Sequence, residues 1–259
     1  MKRLLKISLT YLVPAIFIAI LIYGLNFNHQ IRCILVEYDL SSLRKETDNL
    51  YVSAGMDKID AALLKENIEA SRKRLSHFFD TVYANPVFLA GDSENFMRTY
   101  GAQLNSPGMN HITPIGSYIV LGPKGLNRDV ISHELVHAEL VYRVGWWNRE
   151  MEIPTWFDEG LALMLDYRYK DSDAMWNILT KKGEEAPSLK ELEKMKDFIR
   201  ITQKSPYLSY VTSMREVSRW WNVVGLNGFA EFTDRIKNGE HFPSAYKETE
   251  NKFSRMTKK

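Results

Sequence analysis

The hydrophobic pattern changes character several times along the chain. Residues 7–28 carry no charged side chain. As a helix, such a run reaches roughly 31 Å at about 1.5 Å per residue, close to the hydrocarbon thickness of a bilayer. Residues 29–56 mix charged and apolar positions without a long stripe, which predicts a stalk. From Asp57, "DKIDAALLKENIEASRKRLSHFF" has helical spacing, with Ile59, Leu63, Ile68, Leu75, Phe78 and Phe79 on one broad face. "PVFLAG" predicts a short buried strand, and "DSENFMRTYG" a capped helix with a glycine stop. "HITPI" and "SYIVLG" predict two short strands joined at Gly116-Ser117. After Asn127 the pattern is mostly helical, and no repeat or low-complexity tract interrupts it. This order predicts an α+β fold, a small sheet followed by a mostly helical domain, over residues 57–259.

Charge sharpens the reading of the N-terminus. Lys2, Arg3, Lys6 and the amino terminus outweigh Arg32 across the apolar run. The positive-inside rule then places residues 1–28 as a cytoplasmic N-terminus and a single transmembrane anchor, with the rest on the extracytoplasmic side. No A-x-A site follows the run, so an uncleaved anchor in the lipid bilayer is expected rather than a signal peptide. Elsewhere charge is balanced: 34 basic and 32 acidic residues give a net charge of +2. That offers no electrostatic footprint for nucleic acid, and none is expected as a partner. The single cysteine, Cys33, rules out an intrachain disulfide and a cysteine-rich metal site. It reads as a free thiol beside the membrane segment, with pairing between chains as the alternative.

The chemistry lies in "VISHELVHAEL", residues 130–140. On a helix capped by Asn127 and ended by Gly145, His133 and His137 stand four apart and leave the same face. Two neutral imidazoles so placed can reach one Zn²⁺. Glu134, offset by one residue, can lean over a water on that metal, which is the general-base position of H-E-x-x-H zinc hydrolases. The bland alternative is a buried helix whose histidines bond to backbone carbonyls. A third ligand favours the metal. In "IPTWFDEGLALML", Thr155-x-x-Asp158 resembles a capping box, which gives Asp158 a structural job. Glu159 is one step around, and Gly160 lets the two helices approach closely. Glu159 is therefore the expected ligand, ahead of Asp158, Glu150 and Glu152.

"HELVH" followed by "WFDEGLA" resembles the gluzincin metallopeptidases, a group of peptidase-MA-like proteins that includes the aminopeptidase N family. In those proteins a downstream glutamate, in a sequence like D-E-G-L-A, completes the zinc site. The spacing here is slightly longer, and "RVGWWNREMEIP" can absorb the difference. The thermolysin branch fits less well, because Leu163 stands where its aspartate, four residues after the ligand, is found. "YLSYVTSMREVSRWWNVVG" resembles the family helix that begins with a tyrosine and ends before a glycine. By that match Tyr210 falls at the transition-state tyrosine, with Tyr207 as runner-up. The aminopeptidases' G-x-M-E-N stretch is absent, since "PGMNH" at 107–111 has no glutamate, so aminopeptidase activity is not implied.

The resemblance implies a zincin-type catalytic domain. It implies a membrane-anchored zinc metallopeptidase that hydrolyses a peptide or protein substrate with metal-activated water. Zn²⁺ would sit on His133, His137 and Glu159, with Glu134 as general base and Tyr210 assisting. The alternative is a catalytically inactive, membrane-tethered binding or scaffold protein that keeps the fold. "SYIVLG" is a candidate edge strand for an extended peptide. The pairs Trp146-Trp147 and Trp220-Trp221 read as packing, while His77, His111 and His241 read as surface residues. Ser188 and Glu191 form a capping box.

Overall fold

Strand pairing begins earlier than the hydrophobic pattern suggests. β1 (Leu43–Thr47) and β2 (Leu50–Ser53) form an antiparallel hairpin within the expected stalk. β2 runs parallel to β3 (Val87–Ala90), and β3 runs parallel to β5 (Gly116–Leu121). β4 (Gly108–Thr113) closes the sheet antiparallel to β5, giving the order β1-β2-β3-β5-β4. This computed structural model describes residues 11–16, 28–39, 42–101 and 106–257. The fold is α+β, a five-stranded sheet with a mostly helical remainder.

The stalk expected over 29–56 is corrected by this topology. Leu50 and Val52 enter the main core, and α1 (His29–Ile34) packs against β4 and β5. β2 is paired on both sides and buried on both faces, so it shows no alternation to read. Cys33 is buried, not poised to pair between chains, and burial pushes its thiol up to about 12. The predicted span over 7–28 lies outside the described residues except for 11–16, which are helical, and 28. Among the described residues no helix is long and apolar enough to cross a membrane.

α2 (Lys58–Phe79) starts where Asp57 accepts the Ile59 N–H at 2.7 Å. Its buried face runs through Ala61, Leu64, Ile68, Ser71, Leu75 and Phe79. Ile59 and Leu63, expected to be buried, are 78% and 52% exposed. Both fall outside the buried face of α2, which packs on α3 (Arg128–Val144); there the Ser71 hydroxyl donates to the Arg128 carbonyl at 3.1 Å. α3 runs under the sheet and meets α5 (Thr155–Leu163) on its other side, with α4 (Trp146–Glu152) between the two in sequence. Asn127 caps α3 by accepting the Asp129 and Val130 N–H groups, and Gly145 ends it at φ 86°, as the sequence predicts.

The remaining helices are α6 (Ser172–Leu179), α7 (Met195–Lys204), α8 (Leu208–Lys237) and α9 (Phe242–Thr257). The predicted end of α8 before a glycine is instead a kink: Gly225 takes φ 60°, and the helix continues. α8 crosses α5 at Gly160, where an added Cβ would stand 2.6 Å from the Ser213 carbonyl oxygen. The close approach that Gly160 permits is therefore with α8, not with the HELVH helix. Trp220 is buried in the core beside Phe157 and Phe232, and Trp221 stacks on Phe78.

Candidate metal centre

α3 presents His133 and His137 toward Glu159 of α5, and ligand atoms of the three lie within 4.8 Å of one another. The two imidazole Nε2 atoms are 3.2 Å apart, and His133 Nε2 is 3.5 Å from Glu159 Oε2. Ligands on a tetrahedral ion with bonds of about 2.0–2.1 Å stand roughly 3.3 Å apart, so these separations suit one ion.

The outer nitrogens explain why the inner ones converge. His137 Nδ1–H donates to Asp158 Oδ1 at 2.6 Å, which leaves an electron pair on Nε2. Asp158 is buried and also bound by the Arg149 guanidinium, which in turn meets Glu150 at 2.6 Å. The predicted capping role of Asp158 is thus a miss: Pro154 is the N-cap and no side chain caps α5. On the other ring, His133 Nδ1 is buried without a hydrogen-bond partner and faces Asp166 Oδ2 at 3.6 Å. Arg168 holds Asp166 from behind, its Nε donating at 2.8 Å, and the Arg168 backbone N–H adds a bond at 3.2 Å. Each imidazole has a buried carboxylate on its outer nitrogen, and each carboxylate an arginine.

This donor set takes either a proton or a cation. Burial opposes charge on His137, but Asp158, Glu159 and Glu134 outweigh it and push its pKa up to about 9 in the metal-free chain. Burial likewise works against the Asp158 carboxylate, yet Arg149 and His137 hold it well below the usual carboxylate range. Glu159 is also lowered: against burial, the His133 bond and the His137 charge stabilise its anion. Glu134 goes the other way. Burial raises its pKa, the histidines only partly offset this, and Glu159 and Asp158 add to the rise. The donor types fit a divalent ion on chemical grounds: two imidazole nitrogens, which bind a metal once their inner protons are lost, and one carboxylate oxygen.

A cleft of about 710 Å³ opens over these groups. Glu134 lines it beside Gly108, where a Cβ would come within 3.1 Å of Glu134 Oε1 and 2.8 Å of Val130 Cγ1. Only glycine lets β4 lie this close to α3. Asn110 of β4 donates to the Glu134 carbonyl at 3.2 Å and leaves its Oδ1 buried without a partner. Among the described residues β4 is one of the two edge strands of the sheet, whereas the predicted edge "SYIVLG" is β5, held between β3 and β4. The run Tyr118–Leu121 is buried because β5 is an interior strand.

Tyr210, near the start of α8, lines the cleft, with burial first and Glu159 second raising its pKa. Tyr207 does not line it; it stands exposed at the N-cap of α8 with φ 71°. Tyr169 is a lining phenol that sequence reasoning missed, 6.1 Å from the Tyr210 ring and raised to about 12 chiefly by burial. Trp146 lines the cleft while Trp147 is exposed. His111 is buried rather than at the surface, its Nε2 meeting the Tyr100 carbonyl at 2.6 Å. His77 and His241 are exposed, His241 beside Glu152, and the Ser188–Glu191 capping box forms.

One family matches this part of the chain. A protein-family model described as "Protein of unknown function (DUF1570)" matches residues 128–226, which is 99 of the 259 residues. The DUF1570 match spans α3 to the kink of α8, and so contains His133, Glu134, His137, Glu159, Asp166 and Tyr210. It leaves out the sheet. No curated protein matches the chain.

Proposed function

We propose that the chain is a membrane-anchored zinc metallopeptidase of gluzincin type, acting on a peptide or protein substrate. The observation that carries this reading is the convergence of two imidazole Nε2 atoms and a Glu159 oxygen, with a buried carboxylate behind each imidazole. His133, His137 and Glu159 would hold Zn²⁺, which supplies a Lewis acid that polarises the scissile carbonyl and acidifies water. Glu134 takes the proton from the attacking water and passes it to the leaving amine. The burial that raises its pKa suits it to both transfers. The Tyr210 hydroxyl donates a hydrogen bond to the carbonyl oxygen as negative charge develops there. An extended substrate adds to the edge strand β4 through backbone hydrogen bonds. With no glutamate in "PGMNH" to hold a free amine, the reading is not that of an aminopeptidase. The anchor rests on the uncharged run at 7–28 and its basic flank, which put the catalytic domain on the extracytoplasmic side.

The test is metal content of the full chain in detergent, beside His137→Ala. The reading expects about one zinc per chain, lost in the variant. No zinc in a folded protein would end it. Glu134→Gln should keep the metal and lose hydrolysis; equal hydrolysis by that variant would sink the mechanism. Retained zinc with no turnover by the native chain on any peptide would favour a binding protein that keeps the fold.

A further inference from the structure

The cleft has a mixed lining, but two of its walls carry apolar side chains that are surplus to the core. α7 carries apolar residues at 195, 198, 199 and 201. Phe198 is buried and Ile201 packs on the core, so the helix is anchored without the other two. Met195 and Ile199 remain 47% and 39% exposed, four residues apart on one face, and both line the cleft. α4 has no buried residue at all, yet it brings Trp146 to the same cleft. The charges between these walls are already paired: Arg149 with Asp158 and Glu150, Arg168 with Asp166. A charged substrate side chain would compete with those pairs, whereas an apolar one would cover Met195, Ile199 and Trp146.

Resting on the hydrolase reading above, we infer that the substrate is an extended peptide segment with large apolar side chains at the scissile bond, seated between the β4 edge and the Met195–Ile199 face of α7. The edge strand β4, which lines the cleft beside the three converging side chains, says how that segment lies, and α7 says what its side chains are. Hydrophobic pockets of this kind discriminate by about 10–200-fold per added or missing carbon group.

The experiment uses the zinc-loaded full chain in detergent and a peptide library randomised on both sides of a central bond, with products sequenced by mass spectrometry. The expected result is cleavage beside Leu, Ile, Met or Phe. The double variant Met195→Gln, Ile199→Gln should lower kcat/KM for those peptides by about tenfold or more, and less for peptides with Ala or Ser there. Zinc content and Tm should not change, since both side chains are half-exposed. A parallel arm measures binding of the same peptides to Glu134→Gln protein by isothermal titration calorimetry, with the same ranking expected. Cleavage without an apolar preference, or a preference the double variant leaves intact, overturns this inference and spares the hydrolase reading. No cleavage and no binding of any peptide overturns both.

Discussion

Replacing Asp158 by Asn is the sharpest probe of the proposed metal centre, because it keeps the shape and removes one charge. Asp158 is buried and does not line the cleft. It accepts from His137 Nδ1 at 2.6 Å and from Arg149. In the metal-free chain the surroundings raise His137 from 6.5 to about 9, although burial acts the other way. At about 1.4 kcal/mol per tenfold, that is on the order of 3 kcal/mol in favour of a cation on or beside this ring. Asp158 is the largest favourable cause, so the asparagine variant should bring His137 back toward or below its ordinary value. Zn²⁺ meets the same field, and carboxylates behind metal-bound histidines are typically worth about 10–100-fold in affinity, roughly 1.4–2.7 kcal/mol. Competition against a chromophoric chelator at fixed pH measures the affinity, and NMR titration of the metal-free protein measures His137. Arg149 keeps Glu150, so the stability loss should fall at or below the low end of the about 3–5 kcal/mol that breaking a buried pair costs. A folded Asp158→Asn protein with native zinc affinity and an unchanged His137 titration would refute the argument that the outer carboxylates prepare the site.

Metal-free stability should depend on pH in a defined window. His137 has a folded pKa raised to about 9, so its contribution is complete below about 6.5 and is lost as pH rises through 9; Asp158, depressed, contributes above its unfolded value near 3.8 and is lost in acid. Denaturant midpoints should therefore fall from pH 6.5 to 9.5, and a flat profile over that range would contradict the pairing. Tyr210→Phe should lower kcat by about 10–100-fold with little change in zinc content, while Tyr207→Phe, at an exposed position, should leave kcat within about twofold. Equal effects of the two would remove Tyr210 from the chemistry. Gly160→Ala should cost about 1–3 kcal/mol in thermal unfolding, because its Cβ would meet the Ser213 carbonyl oxygen at 2.6 Å.

The sequence by itself determined the elements whose signals are local. Helical spacing, the Asn127 cap and the Gly145 stop delimit α3, and a four-residue step puts His133 and His137 on one face of it whatever surrounds the helix. The same locality made β3 and the helical C-terminal half readable, and Glu159 could be singled out as the neighbour of a residue with a capping alternative. That capping alternative failed because Asp158 is buried against His137, a partner 21 residues away that no helix-start pattern contains. Tertiary structure alone decided the rest. β1 and β2 are strands because they pair with each other and β2 pairs with the distant β3, a cause that their short runs do not carry. Among the described residues the edge strand beside α3 is β4 rather than β5, since the order of strands in a sheet is set by crossovers and not by composition. Asp166, Arg168 and Tyr169 reach the site only because the chain turns back under His133 after α5. A ligand pair at fixed helical spacing can be read from one strand of letters. The groups that orient it are held by packing between distant segments, and that information exists only once the chain has folded.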